Sequence, residues 1–295
     1  MLATLLTTLL SIIGPIMTCV MIGYFWKKLG WAYDTGMVTQ LVMRIGAPCL
    51  VVASLSRTPI SRETFEQMFL VTLAMLVVTA LIAIPAIKLA KQPVRNYLGA
   101  LLFPNTGNLG LPVCLFAFGE KGLTLALTIF MVLSVLHFTV GIALVSGKSM
   151  FRELLTNPVI YSIAIAVAMI YLHLTLPPWL GNTMKLLSDF TIPLMLLTLG
   201  VSLADMKMQG WGSSVYFAVA RMVIGVVAGW GVAVAFGLHG MAKGVLIMQS
   251  SMPVAVFNYL FAVQYDRNPQ QMAGMVMVST LLSFVLIPLI YLYVQ

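Results

Sequence analysis

Apolar blocks of membrane-spanning length follow one another along almost the whole chain, and that succession leaves few folds open. They fall near residues 3–26, 35–55, 66–89, 96–118, 122–146, 158–177, 183–204, 212–237, 241–264 and 270–293. A helix needs about 20 apolar residues to cross a hydrocarbon core. The punctuation between blocks is short ("KKLGWAYD", "SRTPISRE", "KQPVR", "GEKG", "SGKSMFRELLTN") and offers no room for a soluble domain. Only 8% of the residues are charged, against about 25% in an ordinary soluble domain. The expected fold is therefore an all-α polytopic membrane protein with ten transmembrane helices, forming one membrane domain.

No Lys or Arg precedes Lys27. A cleaved signal would open with a basic segment, so the first block reads as a first span. Cys19, Cys49 and Cys114 lie in apolar blocks without metal spacing and read as small buried apolar residues. No metal and no cofactor is expected. The net charge of +8 comes from basic residues scattered singly or in pairs between blocks. That pattern excludes a nucleic-acid surface and marks topology instead. Lys27, Lys28, Lys88, Lys91, Arg95, Lys148, Arg152, Lys207 and Arg267 follow the odd-numbered blocks. Arg57, Arg62, Lys121 and Lys243, with Lys185 at the margin, follow the even-numbered ones. The heavier set belongs in the cytoplasm, which places both termini outside.

Ten spans divide into five and five, and an odd-numbered repeat must insert its second copy upside down. Pro48 and Pro193, like Gly99 and Gly244, are separated by 145 residues (193 − 48; 244 − 99). The expected organisation is a first five-helix repeat at 1–146, a cytoplasmic linker at 147–157 and an inverted second repeat at 158–295.

Two blocks break the rules of an apolar helix. "FPNTGNLGLPVCLFAFG" (103–119) carries two prolines and an Asn105–Asn108 pair, and "MQSSMPVAVFNY" (248–259) interrupts the ninth block. Irregular backbone at membrane depth is tolerated where it is buried in protein or lines a wet cavity. Paired interruptions in two halves point to a transporter's binding site. Asn105, Thr106, Asn108, Gln249, Ser250, Ser251 and Asn258 are the candidate substrate-binding residues, and Pro112 and Pro253 the residues expected to open the two helices. The alternative is that proline and glycine merely kink packed helices.

Among the ionisable residues within the spans, Arg44 and Arg221 are candidates for attracting an anion, or for snorkelling and pairing with backbone carbonyls respectively. His137 and Asp189 are candidate proton carriers, or a packing histidine and an interfacial carboxylate. The Gly225–Gly229 and Gly240–Gly244 pairs have the spacing for close helix approach.

"PNTGNLGLP" (104–112) resembles the fourth-helix motif of the auxin efflux carrier family. "MIGYFWKKLGW", "APCLV", Arg221 and "AVQYDRNPQQMAG" extend the resemblance in the family's order along the chain. Lacking the long central loop of many plant members, the sequence resembles a compact bacterial-type member. The resemblance implies two inverted five-helix repeats whose broken helices 4 and 9 cross. It also implies transport of organic anions such as auxin or dicarboxylates, with Asn105 near the substrate carboxylate and Pro112 and Pro253 at the crossover. Asn108 departs from the apolar residue usual in plant carriers.

The expected function is secondary transport of a small organic anion by alternating access, in the plasma membrane. The expected partners are that anion and membrane lipids, with a homodimer as a further candidate. A receptor or sensor lacks a soluble output domain here, and a channel on the same architecture is the other alternative. An intramembrane enzyme would need two span carboxylates facing each other or a serine nucleophile with a base, whereas Asp189 is the only span aspartate and no Gly-x-Ser-x-Gly occurs.

Overall fold

The computed structural model describes residues 2–146, 158–207 and 211–294. All regular structure among them is helical: α1 (Leu2–Lys28), α2 (Thr35–Arg57), α3 (Arg62–Leu89), α4 (Val94–Leu102), α5 (Thr106–Ser146), α6 (Pro158–Leu172), α7 (Pro178–Asp205), α8 (Trp211–Ala235), α9 (Gly240–Ser250), α10 (Val256–Gln264) and α11 (Pro269–Val294). Seven of these, α1, α2, α3, α5, α7, α8 and α11, are long and apolar enough to cross a membrane. The apolar blocks therefore persist as helices, but not one for one. The fourth block is divided between α4 and the start of α5, and the ninth between α9 and α10. The fifth block is the rest of α5 beyond Gly119, where the backbone is not helical (φ 68°, ψ −164°) and two helical stretches meet at a kink. That left-handed conformation carries little penalty only for glycine. Where the chain enters α2, the Asp34 carboxylate accepts the Met37 N–H at 2.9 Å and caps the helix.

The described chain forms two compact units. The first comprises 2–68, 107–131 and 158–205. Its close packing is made possible by absent side chains. A Cβ on Gly23 would land on the Leu197 carbonyl oxygen of α7, and one on Gly200 would land on the Val20 carbonyl oxygen of α1. Small residues on both helices thus let the two backbones touch, the usual device where no hydrophobic drive separates helix from lipid. Lys27 pairs with Asp205 at 3.0 Å and Arg57 with Glu120 at 3.2 Å. Tyr171 donates to Glu66 at 2.7 Å, and the hydroxyls of Tyr33 and Thr198 lie 2.7 Å apart.

The second unit comprises 69–106, 132–146, 206–207 and 211–294. Here α8 packs on α9 and α11, and Tyr97 of α4 stacks on Phe217 of α8 with ring centres 4.3 Å apart. Both units draw on both halves of the sequence. The 147–157 linker, with Lys148 and Arg152, lies outside the described residues.

Candidate functional site

The two interrupted stretches meet inside the second unit. α4 ends at Leu102 and α9 at Ser250, and short non-helical segments follow each: Phe103–Asn105 and Ser251–Ala255. Each contains a proline, which has no N–H to continue a helix. The segments run antiparallel, paired at Pro104 and Val254, and the Asn105 N–H donates to the Pro253 carbonyl at 2.7 Å. The Val254 N–H is taken up by the Ser279 hydroxyl of α11 at 3.1 Å. Backbone groups freed by the breaks are thus satisfied by each other and by buried side chains, as burial requires.

Arg221 of α8 supplies the rest. It is completely buried, and its guanidinium donates to three carbonyls: Leu101 in the last turn of α4, Ser250 at the end of α9, and Met252 at 3.3 Å. The approach depends on Gly225, one turn along α8, where a Cβ would collide with the Ser250 carbonyl oxygen. Of the two sequence alternatives for Arg221, pairing with backbone carbonyls is the one observed.

A second link comes from the C-terminal part of α5. The Asn258 side-chain nitrogen donates to the Phe103 carbonyl at 3.2 Å, and its oxygen lies 3.1 Å from His137 Nε2. The buried His137 ring stacks on Phe103 with centres 4.4 Å apart. Phe257 and Phe261 meet its ring edge-on.

The candidate residues fare differently. Asn105 is buried, and its side-chain nitrogen has no hydrogen-bond partner. The hydroxyls of Ser250 and Ser251 both donate back to the Ile247 carbonyl of their own helix, at 2.9 and 2.6 Å. Their protons are therefore committed to that carbonyl. Thr106, Gln249 and Pro253 are buried in the same unit. Asn108 is half-buried and, with Pro112, belongs to the first unit, because the chain passes from one unit to the other between Thr106 and Gly107.

Pro112 does not open its helix. The break lies upstream at Pro104, and Thr106–Gly110 forms a π-turn, so that Pro112 falls at the second position of the α-helical stretch Leu111–Leu136. In a first turn the missing N–H disrupts least. The whole of "PNTGNLGLP" is accordingly not irregular; only its first two residues are, with Phe103. Arg44 is exposed within a π-turn of α2. Asp189 is exposed and paired with Lys185 of its own helix at 2.7 Å. Both lie in the first unit.

Pro104, Phe103, Gly225 and Ser279 were not among the predicted site residues. Pro104 was legible, since a proline preceding a polar triplet marks a helix end. The partners of Gly225 and Ser279 lie 25 residues away in the chain, at Ser250 and Val254, and no local pattern announces them.

A model of the family described as membrane transport protein matches residues 142–291, which include Arg221, the second break and Asn258. The chain belongs to this family. An "Uncharacterized transporter" of Methanocaldococcus jannaschii is 24% identical over 95% of this chain and 97% of its own length. A "Putative malonate transporter" of Rhizobium meliloti is 23% identical over 92% of each chain. Auxin efflux carrier component 4 of Arabidopsis thaliana is 29% identical over 126 residues, which are 40% of this chain and 20% of the plant protein. This member of the membrane transport protein family is therefore compact, aligning end to end with the archaeal relative and only locally with the plant carrier. As a family member with seven apolar helices of spanning length among its described residues, it is an integral membrane transporter.

Proposed function

We propose that the protein is a secondary transporter of small organic carboxylates in the plasma membrane. It works by alternating access, with its substrate bound at the paired breaks after α4 and α9. The observation that carries this reading is the Asn105 side-chain nitrogen, buried at the break without a partner. An unsatisfied buried donor costs about 1–3 kcal/mol, and a chain retains such a group where a ligand meets it. Beside it two helical stretches begin, at Thr106 and at Val256, and the latter has no side chain capping its first amides. Helix amino ends attract anions. The names of the relatives, malonate transporter and auxin efflux carrier, agree with a carboxylate.

The same reading takes the chain as ten spans in two inverted five-helix repeats, 1–146 and 158–295, with both termini outside. In it α4 with the start of α5, and α9 with α10, are the broken fourth and ninth spans that cross. Thr106, Gln249 and Pro253 complete the wall around Asn105, while Asn108 and Pro112 continue the same broken span.

Purified protein screened by thermal shift against mono- and dicarboxylates tests this reading. A ligand that binds only the folded state raises the melting temperature by mass action. A carboxylate that does so should also accumulate in reconstituted vesicles. A screen in which no carboxylate shifts the melting temperature of a folded, monodisperse preparation refutes it.

A further inference from the structure

We infer that Arg221 is a fixed counter-cation built into the break: it neutralises the carbonyl ends of α4 and α9 together, and so makes an anion the solute the site accepts without touching it. This inference rests on the carboxylate-transporter reading and deepens it. Arg221 is wholly buried, and none of the ion pairs among the described residues involves it. Its partners are three neutral carbonyls, two of them in the closing turns of two different helices. Each helix end carries about half a negative charge at its carbonyl terminus. The two together balance one guanidinium.

The balance has a consequence for the other ends. A broken helix exposes a carbonyl end on one side of the break and an amide end on the other. With the carbonyl ends of α4 and α9 cancelled by Arg221, the amide ends at Thr106 and Val256 are left without an opposing charge. The unpaired Asn105 nitrogen immediately precedes the first of them in sequence and adds a donor of the same sign. The break as a whole is therefore electropositive, although its only full cation is spoken for. In coupled transporters a metal ion or proton is commonly held by such carbonyl ends; here an arginine occupies that place. Arg221 is a positioning residue.

Chemical complementation tests it. Arg221→Ala should melt below wild type, and low-millimolar guanidinium should restore both its melting temperature and its malonate-dependent shift. Urea, of the same shape but uncharged, should restore neither. Equal restoration by urea, or none by guanidinium, overturns the inference. Should the alanine variant not fold, Arg221→Lys and Arg221→Gln decide. The lysine variant should lose no more than about tenfold in malonate affinity, and the glutamine variant about a hundredfold. Equal affinities would mean that the charge is irrelevant and end the proposal. A wild type that binds neither malonate nor any other carboxylate would sink the substrate reading instead, and the recovery of melting temperature by guanidinium over urea would still judge the clamp.

Discussion

His137 donates from Nε2 to the side-chain oxygen of Asn258, 3.1 Å away. The direction is forced. A main-chain carbonyl can only accept, so the amide nitrogen of Asn258 must face Phe103, and its oxygen must face the histidine. The histidine therefore serves as an N–H donor holding the first break in place. His137→Gln, which carries an N–H at the same reach, should retain most uptake with the pH profile unchanged. His137→Leu leaves the Asn258 oxygen buried and unpaired, and should lower the melting temperature and uptake together. A flattened pH profile in the glutamine variant would instead identify His137 as a proton carrier.

Asn105→Ala should separate binding from stability. The loss of one hydrogen bond to a charged ligand, about 1.5–3 kcal/mol, weakens binding roughly tenfold to a hundredfold. Because the Asn105 nitrogen has no partner within the protein, the ligand-free variant should melt no lower than wild type. Thermal shift with and without a carboxylate measures both quantities in one titration.

Gly225→Ala should fail where a nearby glycine tolerates the change. A methyl at 225 collides with the Ser250 carbonyl that Arg221 holds, whereas one at Gly231, on the same helix, meets nothing within 4 Å. Overpacking of this kind typically costs 1–3 kcal/mol. The melting temperature of Gly225→Ala should fall clearly, and that of Gly231→Ala should stay at or above the wild-type value, since alanine favours the helix.

Asp189→Asn should leave the pH dependence of uptake unaltered. The carboxylate is half-exposed and paired with Lys185 one turn earlier. Exposed pairs of that kind contribute little. A flattened pH profile in this variant would restore Asp189 as a proton carrier.

A reporter active only in the cytoplasm, fused after Gln295, should give no signal if both termini face outward. A bright fusion overturns that topology.

The helices are legible because the blocks are long and lipid-like, and the two breaks of the candidate site are legible as a pair of polar interruptions. What local pattern could not show is how the interruptions are completed. Pro112 looked like the breaker because proline clashes with the turn before it, but the π-turn at Thr106–Gly110 absorbs that clash, and Pro104 does the breaking. Ser250 and Ser251 looked like ligand donors, yet their hydroxyls turn back to Ile247. Asn258 reads in sequence as polar lining, whereas its partners, His137 and Phe103, lie 121 and 155 residues away. Residue type indicates that a group can donate; only the tertiary arrangement shows whether it already has.

The pairing of Phe103–Asn105 with Ser251–Ala255 is held by backbone atoms, the Arg221 guanidinium and the side chains of Ser279 and Asn258. None of these holding groups is the side chain of Asn105 or Thr106, so under the proposed carboxylate site a substitution there should change the cargo while the frame stays folded. A lineage built on this arrangement can diversify its solutes by single exchanges, each tried against an intact scaffold, as a lathe accepts a new tool without being rebuilt.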